Sequence, residues 1–309
     1  MSTPPDVTLD SLDSPSVTPQ PVSEARRLYW SIRREVWENR SIYLAPLIVA
    51  AFVLFASLIA ATSLPKRMRS VPSHEPAKHQ MMAVGPSTMA AMPIMFVTFV
   101  VGAFYSFDAL YGERRDRSIL FWKSLPVSDR TTVLSKAAIP LVVLPLIAFA
   151  LGAIAQFIVL LFSTVVLLGN GLSAAPLWSD FRFLQEPLVT FYHLMVHLLY
   201  LAPFYGWLLL VSAWARRAPL LWAVLPPIVF SIFERMAFRS KILPALMEER
   251  LMGAMRAGFT AEGAHGMPDR LSQIAPLQFV TSPGLWIGLA FTAACLAAAV
   301  RLRRNREPI

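Results

Sequence analysis

Two histidines, His193 and His197, stand one helical turn apart in an apolar run, a spacing that presents two potential metal ligands on one face. Two ligands do not make a site, and no second cluster of His, Cys or carboxylates accompanies them in the sequence. They are read as helix-packing groups or as groups lining a substrate path, and no metal is expected. Glu234 and Arg235 form a charged pair inside another apolar run, and a charge at membrane depth is a functional candidate. Counted from Pro219 at about 1.5 Å per residue, Glu234 lies about 22 Å along a core of about 30 Å, within reach of the far headgroups. The pair therefore serves either a helix contact or the substrate path. Cys295 is the one cysteine, so no intrachain disulfide and no cysteine-based metal site can form. The sequence holds no G-x-x-x-x-G-K-[ST] loop, nucleophile elbow or H-E-x-x-H run. No enzymatic activity and no cofactor are expected of this chain.

The richest segment runs from Tyr111 to Lys136 and reads YGERRDRSILFWKSLPVSDRTTVLSK. Asp116 can cap or begin a short helix whose Ile119, Leu120, Phe121, Trp122 and Leu125 are too apolar for a solvated connector. Pro126 ends that element, because the residue before a proline disfavours helix. Ser128 then restarts a helix as its N-cap, carrying the chain into the next apolar run. A knob of this kind either rests on lipid or enters a groove on another protein. The mixed charges of Glu113, Arg114, Arg115, Asp116 and Arg117 fit a complementary protein surface better than an anionic membrane.

The elements that position these groups are membrane helices. The 309 residues are 56% hydrophobic and 15% charged, with a mean hydropathy of +0.54, against about 25% charged residues in a soluble domain. Six spans are predicted, at about 41–62, 86–110, 137–168, 187–214, 219–238 and 283–300, in an all-α polytopic fold. The third run, as a straight helix of 32 residues, would measure about 48 Å, too long for one upright crossing. Pro140 and Pro145 are expected to bend its first turns. Residues 1–22 are rich in Ser, Thr, Pro and Asp and read as a disordered tail. Ser23 caps an amphipathic helix over 23–40, where Leu28, Ile32 and Val36 lie among arginines and tryptophans suited to the headgroup zone. Segment 239–282 carries Leu243, Met247, Leu251 and Met255 every fourth residue. That pattern predicts an amphipathic helix with one buried face, which either lies on the outer leaflet or dips between spans as a lid.

Sidedness follows from charge. With both termini cytoplasmic, 17 of the 28 Lys and Arg residues fall inside, including the basic tail 301–309, and 10 outside, with Arg235 in a span. The net charge of +9 crowds beside the apolar runs rather than along a soluble basic stripe, so nucleic acid is not an expected partner.

Glu113, Arg114, Ser118, Ile119 and Leu120, then Ser124, Leu125, Pro126, Val127 and Ser128, with Lys136 leading into the next span, match a known pattern: E-R-x-x-x-[ST]-[IL]-L, a spacer, S-L-P-[VI]-S and a lysine. The chain thereby resembles permeases of the type-2 ATP-binding-cassette superfamily. Members commonly have glycine before the serine or threonine, where this chain has Arg117. The resemblance implies a half-transporter of the bacterial cytoplasmic (inner) membrane, paired with a second permease as homodimer or heterodimer and with separate ATPase subunits that hold ATP and Mg. It also implies an ATPase-docking role for Glu113, Arg114, Asp116, Arg117, Ser118, Ile119, Phe121, Trp122, Leu125 and Pro126, and transport that is usually outward. The alternative is a membrane biogenesis or regulatory protein without transport of its own.

Overall fold

The computed structural model describes residues 23–70, 91–118, 127–178, 182–260 and 271–305. The expected docking residues Ile119, Phe121, Trp122, Leu125 and Pro126 lie outside them, as do the N-terminal tail and positions 86–90 of the second predicted span. Among the described residues the chain is helical, apart from one isolated antiparallel bridge between Phe259 and Ile274.

Six helices are long and apolar enough to cross a membrane: Ser41–Thr62, Pro93–Arg115, Asp129–Gly169, Pro187–Trp214, Pro219–Phe238 and Pro283–Asn305. They are called spans one to six below. The third is a rod of 41 residues, about 60 Å at the helical rise and twice the hydrocarbon thickness, so much of it projects beyond the core. Pro140 and Pro145 each remove an N–H donor, and the turn Ile139–Val143 widens to π-helix there. Span six continues as helix to Asn305, which carries Arg301, Arg303 and Arg304 beyond the apolar stretch on a rigid extension.

Both described termini reach the same end of the bundle, called basal here. The N-terminal helix Glu24–Glu38 begins at Ser23, whose hydroxyl accepts the Arg26 N–H, and packs Ile32 and Val36 against a core that includes Ile42, Tyr105, Ala137 and Leu209. Ser128 likewise caps Asp129–Ala138, accepting from the Thr131 N–H at 3.1 Å. The most extensive packing is between spans four and six. Gly206 permits it, because a β-carbon there would lie 3.2 Å from the Thr292 backbone. Span five stands nearly clear of the rest and leaves most of its apolar side chains exposed within the chain.

At the opposite, distal end, helix Ile242–Met252 and the turns after it return to the bundle. Phe259 and Ala254 are buried against span four, the Tyr192 hydroxyl donates to the Gly258 carbonyl at 2.9 Å, and Arg250 reaches the Gly284 carbonyl at the start of span six. The segment thus dips between spans four and six. The expectation of a single buried face does not hold: Met247 and Leu251 are 42% and 47% exposed. The helix is held at its ends, and these two side chains overhang two grooves instead.

Candidate functional site

The short helix Tyr111–Arg115 follows span two's apolar part and turns the chain at the basal end. Two backbone donors at its start, the N–H groups of Leu110 and Tyr111, are accepted by the buried Ser212 hydroxyl of span four at 3.0 and 2.9 Å. Arg114 extends from it into the C-terminal end of span four and donates to the carbonyls of Ala213 and Ala215. A guanidinium satisfies orphan carbonyls there and also complements the negative end of the helix dipole.

Glu113 points the other way. One carboxylate oxygen meets Lys136 Nζ at 3.1 Å and the other accepts from Arg303, which also donates from Nε to Asp129 at 3.1 Å. Lys136 in turn grips both oxygens of Glu35 at 3.0 and 3.1 Å, and Glu35 accepts from Tyr105 and Arg34, each at 2.8 Å. Glu35 is 1% exposed, and Glu113, Lys136 and Arg303 are all buried. Three carboxylates, Glu35, Glu113 and Asp129, together with the exposed Glu38 that pairs with Arg34 at 3.4 Å, thus meet three cations, Arg34, Lys136 and Arg303. A buried charge is tolerable only when paired and hydrogen-bonded, and each buried charge here meets that condition.

Burial opposes the ionisation of Glu35. The Lys136 charge, with hydrogen bonds from Lys136, Tyr105 and Arg34, outweighs it and holds the carboxyl below its usual 4.5. The cluster joins the N-terminal helix, span two, the 111–118 turn, span three and span six, while Arg114 adds span four. The 111–118 turn is thus tied by charged hydrogen bonds directly to spans three, four and six, and through Lys136 to the N-terminal helix.

The remaining candidates on this turn face outward. Asp116 is exposed and pairs with Arg115, whose hydrogen bond is the main cause lowering the carboxyl's pKa. Arg117 is exposed in the left-handed region at φ 57°. Ser118 donates to the Glu113 carbonyl at 3.4 Å. The side chains of Glu113 and Arg114 are engaged with buried partners, so of the charged residues 113–117 it is Arg115, Asp116 and Arg117 that lie on the surface. Asp108 also pairs with Arg115, at 3.6 Å, as a boundary residue.

Glu234 accepts from the backbone N–H groups of Ile242 and Leu243 and from the Ser240 hydroxyl. It caps helix Ile242–Met252 from span five, a structural task that satisfies donors at a helix start. Arg235 is exposed and lines a groove of about 490 Å3 with Phe204, Trp207, Pro227, Pro244 and Met247. His193 and His197 lie with ring centroids 4.6 Å apart and line a separate groove. Among the described residues no group of three or more His, Cys, Asp or Glu is placed to hold a metal ion.

Sequence reasoning passed over Glu35, Tyr105 and Arg303 as site residues. Glu35 left one signal, a carboxylate at the centre of the apolar face of the N-terminal helix, between Ile32 and Val36. Arg303 left none, since one arginine among four in a basic tail looks like the others. Comparison with protein-family models, curated proteins and solved structures found no match to this chain.

Proposed function

We propose that this chain is the membrane-spanning permease subunit of an ATP-driven exporter, coupled through residues 113–126 to a separate ATPase in the bacterial cytoplasmic membrane. The observation that carries the reading is the division of labour in the Glu113–Arg114 pair. Arg114 fastens the turn to span four, and Glu113 fastens it through Lys136 and Arg303 to spans three and six. A loop built to be pushed needs a stiff joint at its root. Charged hydrogen bonds buried among the helices supply that stiffness, whereas a solvated connector would absorb the movement.

A second feature favours the resemblance to type-2 permeases. Members commonly carry glycine at the position of Arg117, and the backbone here is left-handed, a conformation glycine adopts without steric cost. In this reading the basal end faces the cytoplasm, where the excess of Lys and Arg belongs. The 119–126 stretch inserts Phe121, Trp122 and Leu125 into the ATPase, and Asp116 and Arg117 set its orientation. ATP and Mg belong to that partner, and a second permease copy or a related chain completes the transporter.

The test is co-purification of a nucleotide-binding partner, the proposed ATPase, with the permease in mild detergent. Buried aromatics at the centre of an interface cost about 2 kcal/mol or more when truncated, roughly a thirtyfold loss of affinity. Trp122→Ala and Phe121→Ala are expected to release the ATPase while the permease still inserts. A wild-type protein that holds no nucleotide-binding partner, with both variants behaving as wild type in cells, would move the regulatory alternative ahead. Sidedness is checked by thiol labelling in a Cys295→Ser background: labelling from outside at Ser128→Cys but not at Ala264→Cys would invert the topology.

A further inference from the structure

Spans two, three and four enclose a groove of about 620 Å3, within the range of small-molecule sites, whose lining includes Thr98, Phe99, Leu144, His193, His197 and Tyr205. Among the described residues no Asp, Glu, Lys or Arg lines it. Its polar groups fall in two classes. Thr98 is satisfied locally, donating to the carbonyls of Ile94 and Met95. Tyr205 is not: it is 4% exposed, its hydroxyl packs over Gly102, and among the described residues that hydroxyl has no hydrogen-bond partner. The Nδ1 of His197 is buried and makes no hydrogen bond of good geometry among the described residues, with the His193 backbone one turn back beside it, and the two imidazole rings lie against each other.

In hydrocarbon an unmet polar group is costly, because no water is present to replace the missing partner. Tyr205 and His197 are eight residues apart on one helix, so the two unmet sites lie about 12 Å apart along the groove. Between and around them the wall is apolar, from Phe99, Leu144 and Leu201. Leu251, on the helix that Glu234 caps, overhangs the distal part, and the buried Phe259 ring packs edge-on against His193 at 5.5 Å.

We propose that this groove is the substrate site of the exporter and takes an uncharged amphiphile, with an apolar body along the wall and hydroxyl, ester or amide groups at Tyr205 and the histidine pair. The absence of charges among the described lining residues disfavours phosphate and carboxylate headgroups, which would enter without a counterion. Tyrosine and imidazole can each donate or accept, which suits neutral oxygen and nitrogen functions. This assignment rests on the transporter reading above.

The test is photolabelling of the full-length permease in nanodiscs with three diazirine probes of equal chain length: a monoacylglycerol, a fatty acid and an alkane. The monoacylglycerol is expected to label peptides containing residues 93–99 and 193–205 most strongly. Tyr205→Phe keeps the ring contacts with Phe99 and Phe204 and removes only the hydroxyl. It and His197→Leu are each expected to cut that labelling about fivefold, the worth of one net hydrogen bond, with monodisperse elution confirming that the variants fold. Equal labelling by the alkane, preference for the fatty acid, or variants that label as wild type would overturn the site. With the ATPase present in proteoliposomes, ATP is expected to lower the labelling as substrate is moved out. Labelling unchanged during hydrolysis would show a resident lipid and overturn the substrate assignment. A permease that binds its ATPase but fails these labelling tests loses the groove assignment alone, whereas failure to bind any ATPase removes the transporter reading whatever the labelling.

Discussion

At the base of the bundle, Glu35, Glu113, Lys136 and Arg303 are buried against opposite charges, whereas the groove further along span four holds a buried Tyr205 and two half-buried histidines whose polar atoms, Tyr205 Oη and His197 Nδ1, make no well-formed hydrogen bond among the described residues. Both regions place polar atoms out of contact with water, and the difference lies in who satisfies them. The basal cluster is closed: four elements supply charges to one another and span two adds the Tyr105 hydroxyl, so the polar atoms of the joint are met within the chain. The groove is open: the protein leaves polar functions unmet on one helix face, which is the condition for holding something that is not protein. A saturated polar network stiffens the fold, and an unsaturated one selects a ligand.

That contrast can be broken at the base. Lys136→Met would leave the Glu35 and Glu113 carboxylates facing each other with one shared cation removed, at a cost of about 3–5 kcal/mol for a buried pair broken on one side. The expected outcome is a large fall in thermal stability in detergent and poor membrane yield. Tyr205→Phe, made in the unsaturated groove, should leave the melting temperature nearly unchanged. If the two variants were equally stable, the basal network would not be the stiffer region.

Acid attacks the same cluster without mutation. Glu35 is held below its ordinary 4.5 in the folded chain, so its stabilising contribution is complete above that value and is lost as pH falls through the lowered folded value. Thermal melts from pH 7 to pH 3 are expected to stay flat down to about pH 5 and then decline, and Glu35→Gln should make the acid limb shallower. A variant with the wild-type acid limb would assign the decline to other carboxylates.

Smaller effects sharpen the comparison elsewhere. Glu234→Ala removes three acceptor contacts at the start of helix Ile242–Met252, and amide exchange there is expected to speed up about five- to tenfold, the worth of a helix cap, with the basal amides unaffected. The smallest effect is expected at Arg117→Gly, which relieves a left-handed backbone and should stabilise the turn by about 1 kcal/mol or less. A destabilised Arg117→Gly protein would mean that the side chain holds the turn by contacts that outweigh the strain.

The sequence by itself determined the parts that depend on local pattern. Apolar runs near the length of a bilayer core placed six spans, the last two starting at their prolines as observed, and Ser23 and Ser128 announced two helix starts through the hydrogen bonds their hydroxyls make to nearby backbone. Glu113 and Arg114 stood out as a motif, yet the direction in which their side chains point could not be read from spacing, since their partners lie up to 190 residues away. The same holds for Glu234, whose task became visible only when the chain returned after span five to present Ile242 and Leu243. Tertiary structure alone decided the ionic joint and the groove, because burial of a charge and the meeting of Glu35, Lys136 and Arg303 depend on how helices remote in sequence pack, and a bilayer rewards each helix for being apolar without specifying its neighbour.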